Sequence, residues 1–408
     1  MEDFLTVVGG GPVGCYSAIQ ALKLGVNVKV FEEHHAPGEP EHCTGHVSVN
    51  GLNQLKLSIP DSLIQQRITG YRFYSPSGQS LTFKFKQPQT LVIDRRGFDH
   101  WLAETVTKMG GEYYPNTRVN KIEYASQRKW KISYRDERGL RREESVPIII
   151  DAEGFPPNLL RSVGVLNQSR LGFIYGFQAW LKNVENVEEG VVEVYLTRRF
   201  SPGLYGWIAP LSNGSGKSGL GSISPDVKSM FDEFKSLHPA ASKKLWKAEV
   251  LRFQSHLIPL SGPLKRTSYK GLMVVGDAAS QVKQTTGGGL ITGLNAARLA
   301  GEAAAQALEK GDLKVLSHYE SCFQKLYSSD FKFMGLLRRV LNMFSDSALN
   351  KAFKALSSLS MEVTLEGNVE LDHQLNLIFN ALKNPNWVKR ALTLLAVLTS
   401  KRIKALSL

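Results

Sequence analysis

Three glycines at fixed spacing are the first residues whose types suggest chemistry. Gly9-Gly10-Gly11-Pro12-Val13-Gly14 reads G-x-G-x-x-G, with Gly9, Gly11 and Gly14 in the three places. The first glycine permits a tight turn, the second lets the backbone close on a pyrophosphate, and the third lets a helix pack on the preceding strand. Pro12 and Val13 fill the turn. Cys15 to Leu24 then reads as a helix ended by Gly25, and its N-terminus offers N–H groups and a positive dipole end to phosphate. Glu32, with Glu33 beside it, falls about 20 residues on, where a carboxylate would meet a ribose hydroxyl. Alone, this motif points to a bound dinucleotide, either NAD or FAD.

The elements that must hold these residues can be read around them. Phe4 to Val8 is a short, apolar, β-branched run, and Val26 to Phe31 is a second, so both are expected as strands. Four later segments add to the set. Ile93-Asp94-Arg95-Arg96-Gly97-Phe98-Asp99 precedes a predicted helix from His100 to Met109. Ile148-Ile149-Ile150-Asp151-Ala152-Glu153-Gly154 and Leu272-Met273-Val274-Val275-Gly276-Asp277-Ala278-Ala279 each end a predicted strand. Thr285-Thr286-Gly287-Gly288-Gly289 opens a long alanine-rich helix, Leu290 to Leu308. A helix start bare of side chains at Gly287, Gly288 and Gly289 would let backbone approach a planar ring and stabilise negative charge on it.

Together these segments resemble the FAD-dependent hydroxylase superfamily, and most closely the geranylgeranyl reductase family, over Met1 to about Gly311. The resemblance implies FAD as cofactor. It implies that Gly276 and Asp277 hold the ribityl and pyrophosphate region and that Arg95 lies near the cofactor. Val119, Asp151, Gly154 and Leu290 join the cofactor-side set on the same ground. The family's A-D-G motif reads Ala152-Glu153-Gly154 here, a departure at its acid.

Pro202-Gly203-Leu204-Tyr205-Gly206-Trp207-Ile208-Ala209-Pro210 resembles the family's Y-x-W-x-F-P, and Gly219-Leu220-Gly221 matches the G-x-G that follows it. Ala209 stands where the family has phenylalanine, which predicts a wider cavity. In the family this strand lines the lipid cavity. Tyr205 and Trp207 would supply an apolar wall with one polar handle each; composition alone fits an ordinary core equally well. Glu41 to Ser48 looks like the family's P-C-x-x-x-(V/L)-S segment, which brings Cys43, Thr44 and Gly45 into the cofactor set. Cys43 is open between two readings, a gating or proton-handling thiol and an inert small side chain. The implied catalytic set is therefore Cys43, Tyr205 and Trp207. His34, His35, His42, Cys43 and His46 cluster in sequence, but their spacing matches no zinc signature, and no metal is expected.

Composition bounds the rest. The chain has 408 residues, 42% hydrophobic and 21% charged, so a sizeable core is expected and general disorder is not. The net charge of +13 fits a nucleic acid, an anionic membrane surface or a phosphorylated ligand. No nucleic-acid module is visible, so no nucleic-acid partner is expected. Three cysteines fit a reducing cytosol, and neither a signal peptide nor a spanning helix is read. The expected fold is α/β: a Rossmann-like FAD-binding domain (1–70, 95–165 and 265–312), an inserted mixed β-sheet substrate domain (71–94 and 166–264) and a helical C-terminal domain (313–408). Asn120 to Tyr134 is expected as a hairpin of the FAD domain. Phe331 to Phe344 and Pro385 to about Leu406 are expected as basic amphipathic helices, suited either to peripheral membrane contact at the cytoplasmic face or to docking on their own domain.

The activity implied by the resemblance is hydrogenation of C=C bonds in geranylgeranyl chains, those of archaeal-type ether lipids above all. A hydride would go to one alkene carbon and a proton to the other. No second G-x-G-x-x-G is read between a strand and a helix as a nicotinamide domain would need (the match at Gly214 to Gly219 runs on into Leu220-Gly221), so electrons would come from a transient NAD(P)H or a ferredoxin. Two rivals remain at this stage. One is a flavin monooxygenase or halogenase of the same superfamily, whose W-x-W-x-I-P strand is partly echoed by Trp207-Ile208-Ala209-Pro210. The other is a non-catalytic flavin-binding protein of the membrane surface.

Overall fold

Leu5-Thr6-Val7-Val8 is buried along its whole length, as a strand with neighbours on both sides must be. In the computed structural model, which describes residues 4–125, 129–165, 172–357, 362–365 and 370–376, this strand pairs in parallel with Val28–Phe31 on one side and Ile148–Asp151 on the other. The sheet extends to Glu112–Tyr114 beyond the first and to Leu272–Val274 and Ser268–Tyr269 beyond the second, six strands in all. Strand order therefore reverses at Leu5–Val8, and in such sheets ligands bind in the crevice outside the carboxyl ends at that reversal.

The chain divides into two compact units: Met1–Glu41, Asp94–Phe173 and Leu257–Lys332 form the first, and His42–Ile93, Ile174–His256 and Phe333–Leu408 the second. The first holds the parallel sheet and the helices Pro12–Leu22, Arg95–Lys108 and Leu290–Lys310. The helix expected from His100 begins five residues earlier, at Arg95. The expected hairpin forms as Arg118–Tyr124 against Trp130–Arg135, joined by Arg141–Val146 in a three-stranded sheet. Its Ile122, Trp130, Ile132 and Val146 are buried with Val8, Phe31 and Ile149 in one core.

The second unit is built on an eight-stranded mixed sheet. Its order is Glu249–Pro259, Phe173–Lys182, Gly216–Ser222, Gly203–Pro210, Val191–Tyr195, Gly70–Tyr74, Ser80–Phe85 and Glu362–Leu365. The helix Val227–Leu237 covers one face, where Phe231 and Phe234 pack with Phe177, Tyr195 and Ile208. A smaller antiparallel sheet of His46–Ser48, Thr90–Ile93 and Ile64–Ile68 belongs to the same unit. Its Ile68 and Val92 are buried with Val192 and Ala209. That burial is why 42–70 falls in this unit, where the sequence pattern grouped it with the nucleotide-binding part. Among the described residues, the helix Ser317–Met343 contributes to both units. The boundary falls inside the helix Ser317–Met343, into which the expected helix from Phe331 merges. The expected final helix from Pro385 lies outside the described residues.

Candidate functional site

In the first unit, the glycine turn behaves as three different positions. Gly9 has φ +96°, and a Cβ there would lie 2.3 Å from Ala152 O. A Cβ on Gly14 would lie 1.9 Å from Gly9 O. These two glycines are required by the protein's own packing. Gly11 differs: nothing lies within 4 Å of its Cβ position. The free space there is what a close-approaching ligand needs. Gly11 is also the N-cap of Pro12–Leu22, with Pro12 at the first position, no side-chain cap and no acid in the first turn. The N-terminal N–H groups of that helix are therefore available to an anion.

Glu32 closes the turn from the neighbouring strand. Its Oε2 accepts the Gly10 N–H at 2.7 Å, and its Oε1 accepts the His34 N–H at 2.8 Å with His34 Nδ1 at 2.6 Å. Three donors thus use three of the carboxylate's roughly four acceptor sites, and Oε2 keeps one for a hydroxyl. The bond to Glu32 raises the His34 pKa above its usual value. Glu33 is half-exposed and pairs with Arg118 at 3.3 Å. The Val119 side chain is buried in the core with Val8 and Phe31, so only its backbone is left to face a ligand.

A second helix start converges on the first. Gly289 caps Leu290–Lys310, again without a side-chain cap or an acid in the first turn. A Cβ on Gly293 would lie 2.7 Å from Val13 Cγ2, and one on Gly276 3.2 Å from Val13 Cγ1. Val13 therefore lies against both the Gly276 turn and the first turn of the long helix, and the two positive helix ends are neighbours. A Cβ on Gly289 would come 3.1 Å from Asp277 Oδ1, which places that carboxyl against the bare helix start. Burial pushes the Asp277 carboxyl up to about 6, with the Arg95 charge opposing the rise. Arg95 is itself held by Asp99 through two bonds of 3.1 Å. Gly287 takes φ +71° in a loop closed by its N–H to Lys283 O, and the Gly288 N–H reaches Thr286 Oγ1 at 3.3 Å.

Asp151 ends its strand fully buried. Its Oδ1 accepts the Glu153 N–H at 3.1 Å, and its Oδ2 has no partner among the described residues. Glu153 Oε1 accepts the Leu159 N–H at 2.8 Å. Burial drives both carboxyls upward; the Asp151 charge raises Glu153 further, while hydrogen bonds from Glu153 hold Asp151 back. Gly154 has φ +81° with open space at its Cβ position. An unpartnered buried acid oxygen, an open glycine on each side of the strand ends and two adjacent helix N-termini form a donor set that fits a dinucleotide cofactor.

In the second unit, the strand Gly203–Pro210 alternates. Ile208 faces the helix side, so Tyr205, Trp207 and Ala209 face the other. Trp207 sits opposite Gly219, and a Cβ on Gly219 would lie 2.5 Å from Trp207 Cζ2. The glycine is there because the indole lies across it. Tyr205 meets Trp207 edge-to-face with ring centroids 6.1 Å apart. Trp207 Nε1 is buried without a partner among the described residues. Burial raises the Tyr205 hydroxyl to about 12, against the opposing charge of Arg338. Ala209 is 1% exposed and packs with Ile68, Val92 and Val192.

Cys43 belongs to the same face. Thr44 Oγ1 donates to Gln178 Oε1, and Gln178 is the lateral neighbour of Gly219. The Thr44 carbonyl accepts from Lys217 Nζ at 3.0 Å. Gly45 turns with φ +78°, and its N–H points at Cys43 Sγ at 3.4 Å. The histidines are dispersed: His34 serves Glu32, His46 contacts Thr90, and His42 stacks on His256 at 4.7 Å. No group of three or more metal-ligating side chains occurs among the described residues, and no helix among them is long and apolar enough to cross a membrane.

The candidates thus fall into two sets. Gly9, Gly11, Pro12, Val13, Gly14, Glu32, Arg95, Asp151, Gly154, Gly276, Asp277, Gly287, Gly288, Gly289 and Leu290 line the strand ends and helix starts of the first unit. Cys43, Thr44, Gly45, Tyr205 and Trp207 share one sheet face of the second. Sequence reasoning missed the side chains that fix them. Gln281 accepts the Gly276 N–H at 2.7 Å and donates to Tyr319, whose hydroxyl donates to Val274 O. Gln178 and Lys217 anchor Thr44. None of these has a motif of its own.

No protein-family model matches the chain. It is 29% identical over 376 residues to digeranylgeranylglycerophospholipid reductase 2 of Methanopyrus kandleri, covering 87% of this chain and 91% of that protein. Other archaeal proteins of that description are 25–27% identical over 86–96% of the chain. The fold is that of a geranylgeranyl bacteriochlorophyll reductase-like protein from Thermoplasma acidophilum, at TM-score 0.83 and 24% identity over 97% of this chain and 100% of that one. A p-nitrophenol 4-monooxygenase from Pseudomonas putida aligns at TM-score 0.72 and 17% identity, over 94% of this chain and 98% of that one. The resemblance read from the sequence, and the α/β fold expected with it, are borne out.

Proposed function

We propose that this chain is an FAD-dependent reductase that hydrogenates C=C bonds of geranylgeranyl chains, with archaeal-type ether lipids as the substrate class. The observation that carries this reading is the strand Gly203–Pro210, with Trp207 laid across Gly219 beside Tyr205. It occurs in a chain similar over most of its length to proteins named as digeranylgeranylglycerophospholipid reductases.

Pro12–Leu22 and Leu290–Lys310 would receive the anionic parts of FAD at their N-termini, with Glu32 on a ribose hydroxyl and Asp277 and Arg95 near the ribityl region. When bound, FAD supplies the hydride. The protein's part is to hold the chain and move the proton. An isolated alkene accepts hydride poorly, so the proton must arrive early, and tertiary cation character develops at the more substituted carbon. Aromatic faces stabilise such a charge, which is the role assigned to Tyr205 and Trp207. With its hydroxyl raised to about 12, Tyr205 stays neutral at ordinary pH and serves as wall, not as an anion. Cys43 or a water on its face would deliver the proton. Electrons would come from NAD(P)H or a ferredoxin, and peripheral membrane contact would run through the basic C-terminal segment.

The test is anaerobic. The purified flavoprotein is mixed with dithionite and a geranylgeranyl ether lipid, and the lipid is weighed by mass spectrometry. A gain of two hydrogens per reduced bond is expected. Trp207→Ala should retain FAD, read from its visible spectrum, and lose this turnover; normal turnover in that variant would remove the aromatic wall from the mechanism. Unchanged lipid mass with reducible FAD still bound would favour the monooxygenase or halogenase reading, which the shared fold of the Pseudomonas monooxygenase keeps in view.

A further inference from the structure

Thr44 is held at two points by residues from adjacent strands. Its hydroxyl donates to Gln178 Oε1 on Phe173–Lys182. Its carbonyl accepts from Lys217 Nζ on Gly216–Ser222 at 3.0 Å, and the same ammonium reaches Ile93 O at 3.4 Å. Both anchors are costly residues for a sheet interior. Lys217 is 0% exposed and Gln178 is 2% exposed. A buried ammonium must be compensated by acceptors, and here those named are carbonyls of the Cys43 turn and of the neighbouring strand end.

Register shows what the anchors face. Gln178 lies opposite Gly219, and Gly219 lies opposite Trp207. Because Gly219 has no side chain, nothing stands between the amide and the indole along that row. Lys217 lies opposite Ala209 on one side and Trp180 on the other. The two anchors therefore rise from the face that bears Tyr205 and Trp207. With Thr44 donating to Oε1, Gln178 Nε2 is left as a buried donor with no partner among the described residues. A side chain kept only for packing would carry no such group.

We infer that Gln178 and Lys217 are positioning residues that clamp Thr44 and thereby fix the Cys43 thiol against the aromatic face of the sheet. The Gly45 turn completes the device, because its N–H holds Cys43 Sγ at 3.4 Å. The clamp rests on the proposed reductase reading only for its purpose; the geometry stands without it.

The experiment reads thiol reactivity and turnover separately. In a Cys322→Ser background, Cys15 is buried and Cys43 is half-buried, and iodoacetamide labelling is assigned by peptide mass. Gln178→Met removes the acceptor at similar volume, and Thr44→Val removes the hydroxyl. Each should free the turn and raise the Cys43 alkylation rate about fivefold, whereas Thr44→Ser, which keeps the hydroxyl, should label like the parent. Labelling of both Gln178→Met and Thr44→Val within about twofold of the parent overturns the clamp. With the prenyl lipid, Gln178→Met should lower kcat about tenfold at nearly constant KM, as misplacement of a reacting group does. Faster labelling with unchanged kcat overturns the link between Cys43 placement and the chemical step. Faster labelling in a protein whose parent reduces no prenyl lipid upholds the clamp and rejects the reductase reading.

Discussion

At the scale of residues, the glycine turn separates folding from binding. Gly14 has no room for a methyl group, since its Cβ would sit 1.9 Å from Gly9 O, whereas Gly11 opens onto free space. Gly14→Ala should therefore lower the melting temperature of the apoprotein and its FAD content together. Gly11→Ala should leave the apoprotein melting temperature unchanged and cut FAD retention on gel filtration. Equal melting losses in both would show that Gly11 is a packing residue. Asp277 gives a prediction with a sign. Its folded-state pKa is raised from 3.8 to about 6, so the fold favours the neutral carboxyl. The contribution is present below pH 4 and is lost as pH rises through 6. Apoprotein Asp277→Asn should match the wild type near pH 4, melt progressively higher than it as pH rises from about 4 to about 6, and keep that margin above. A pH-independent difference would mean that Asp277 is ionised against Arg95 throughout.

At the scale of elements, the two helix starts are neighbours because the helices behind them touch. A Cβ on Gly301 would lie 2.4 Å from Ser17 O, and one on Gly293 2.7 Å from Val13. Gly301→Leu should cost about 1–3 kcal/mol through overpacking and, by prising Pro12–Leu22 from Leu290–Lys310, weaken FAD binding as well. Thermal melts with and without added FAD read both effects; a stability loss with unchanged FAD affinity would uncouple the helix contact from the site. The helix starts and strand ends around the cofactor set were legible in the sequence because glycine, proline and β-branched runs mark them locally. The grouping of 42–70 was not. His46–Ser48 and Ile64–Ile68 are short strands, and nothing in so short a pattern says which sheet they join until Ile68 and Val92 are seen buried with Val192 and Ala209. Gln178, Lys217, Gln281 and Tyr319 stayed hidden for a related reason. Each acts on a partner 38 to 173 residues away in the chain or on a turn fixed by such a partner.

At the scale of the whole molecule, charge is the property to test. Residues 377–408 contain six lysines and arginines and no acid, so a chain ending at Asn376 drops from a formal charge of +13 to +7. A lipid-reducing enzyme must meet a substrate embedded in a bilayer, and each cation near an anionic surface contributes about 1 kcal/mol of attraction. The protein should therefore sediment with vesicles containing phosphatidylglycerol and not with phosphatidylcholine alone. Raising salt from about 0.1 M to about 1 M shortens the Debye length from about 10 Å to about 3 Å, and most of the bound fraction should be released. The truncated chain, checked for retained FAD, should lose most binding at low salt too. Binding that survives high salt would assign the membrane contact to apolar side chains instead. Binding that survives truncation would move the contact to the remaining charge of the two units, and absence of binding to either vesicle would mean that the lipid is delivered to the protein in another form.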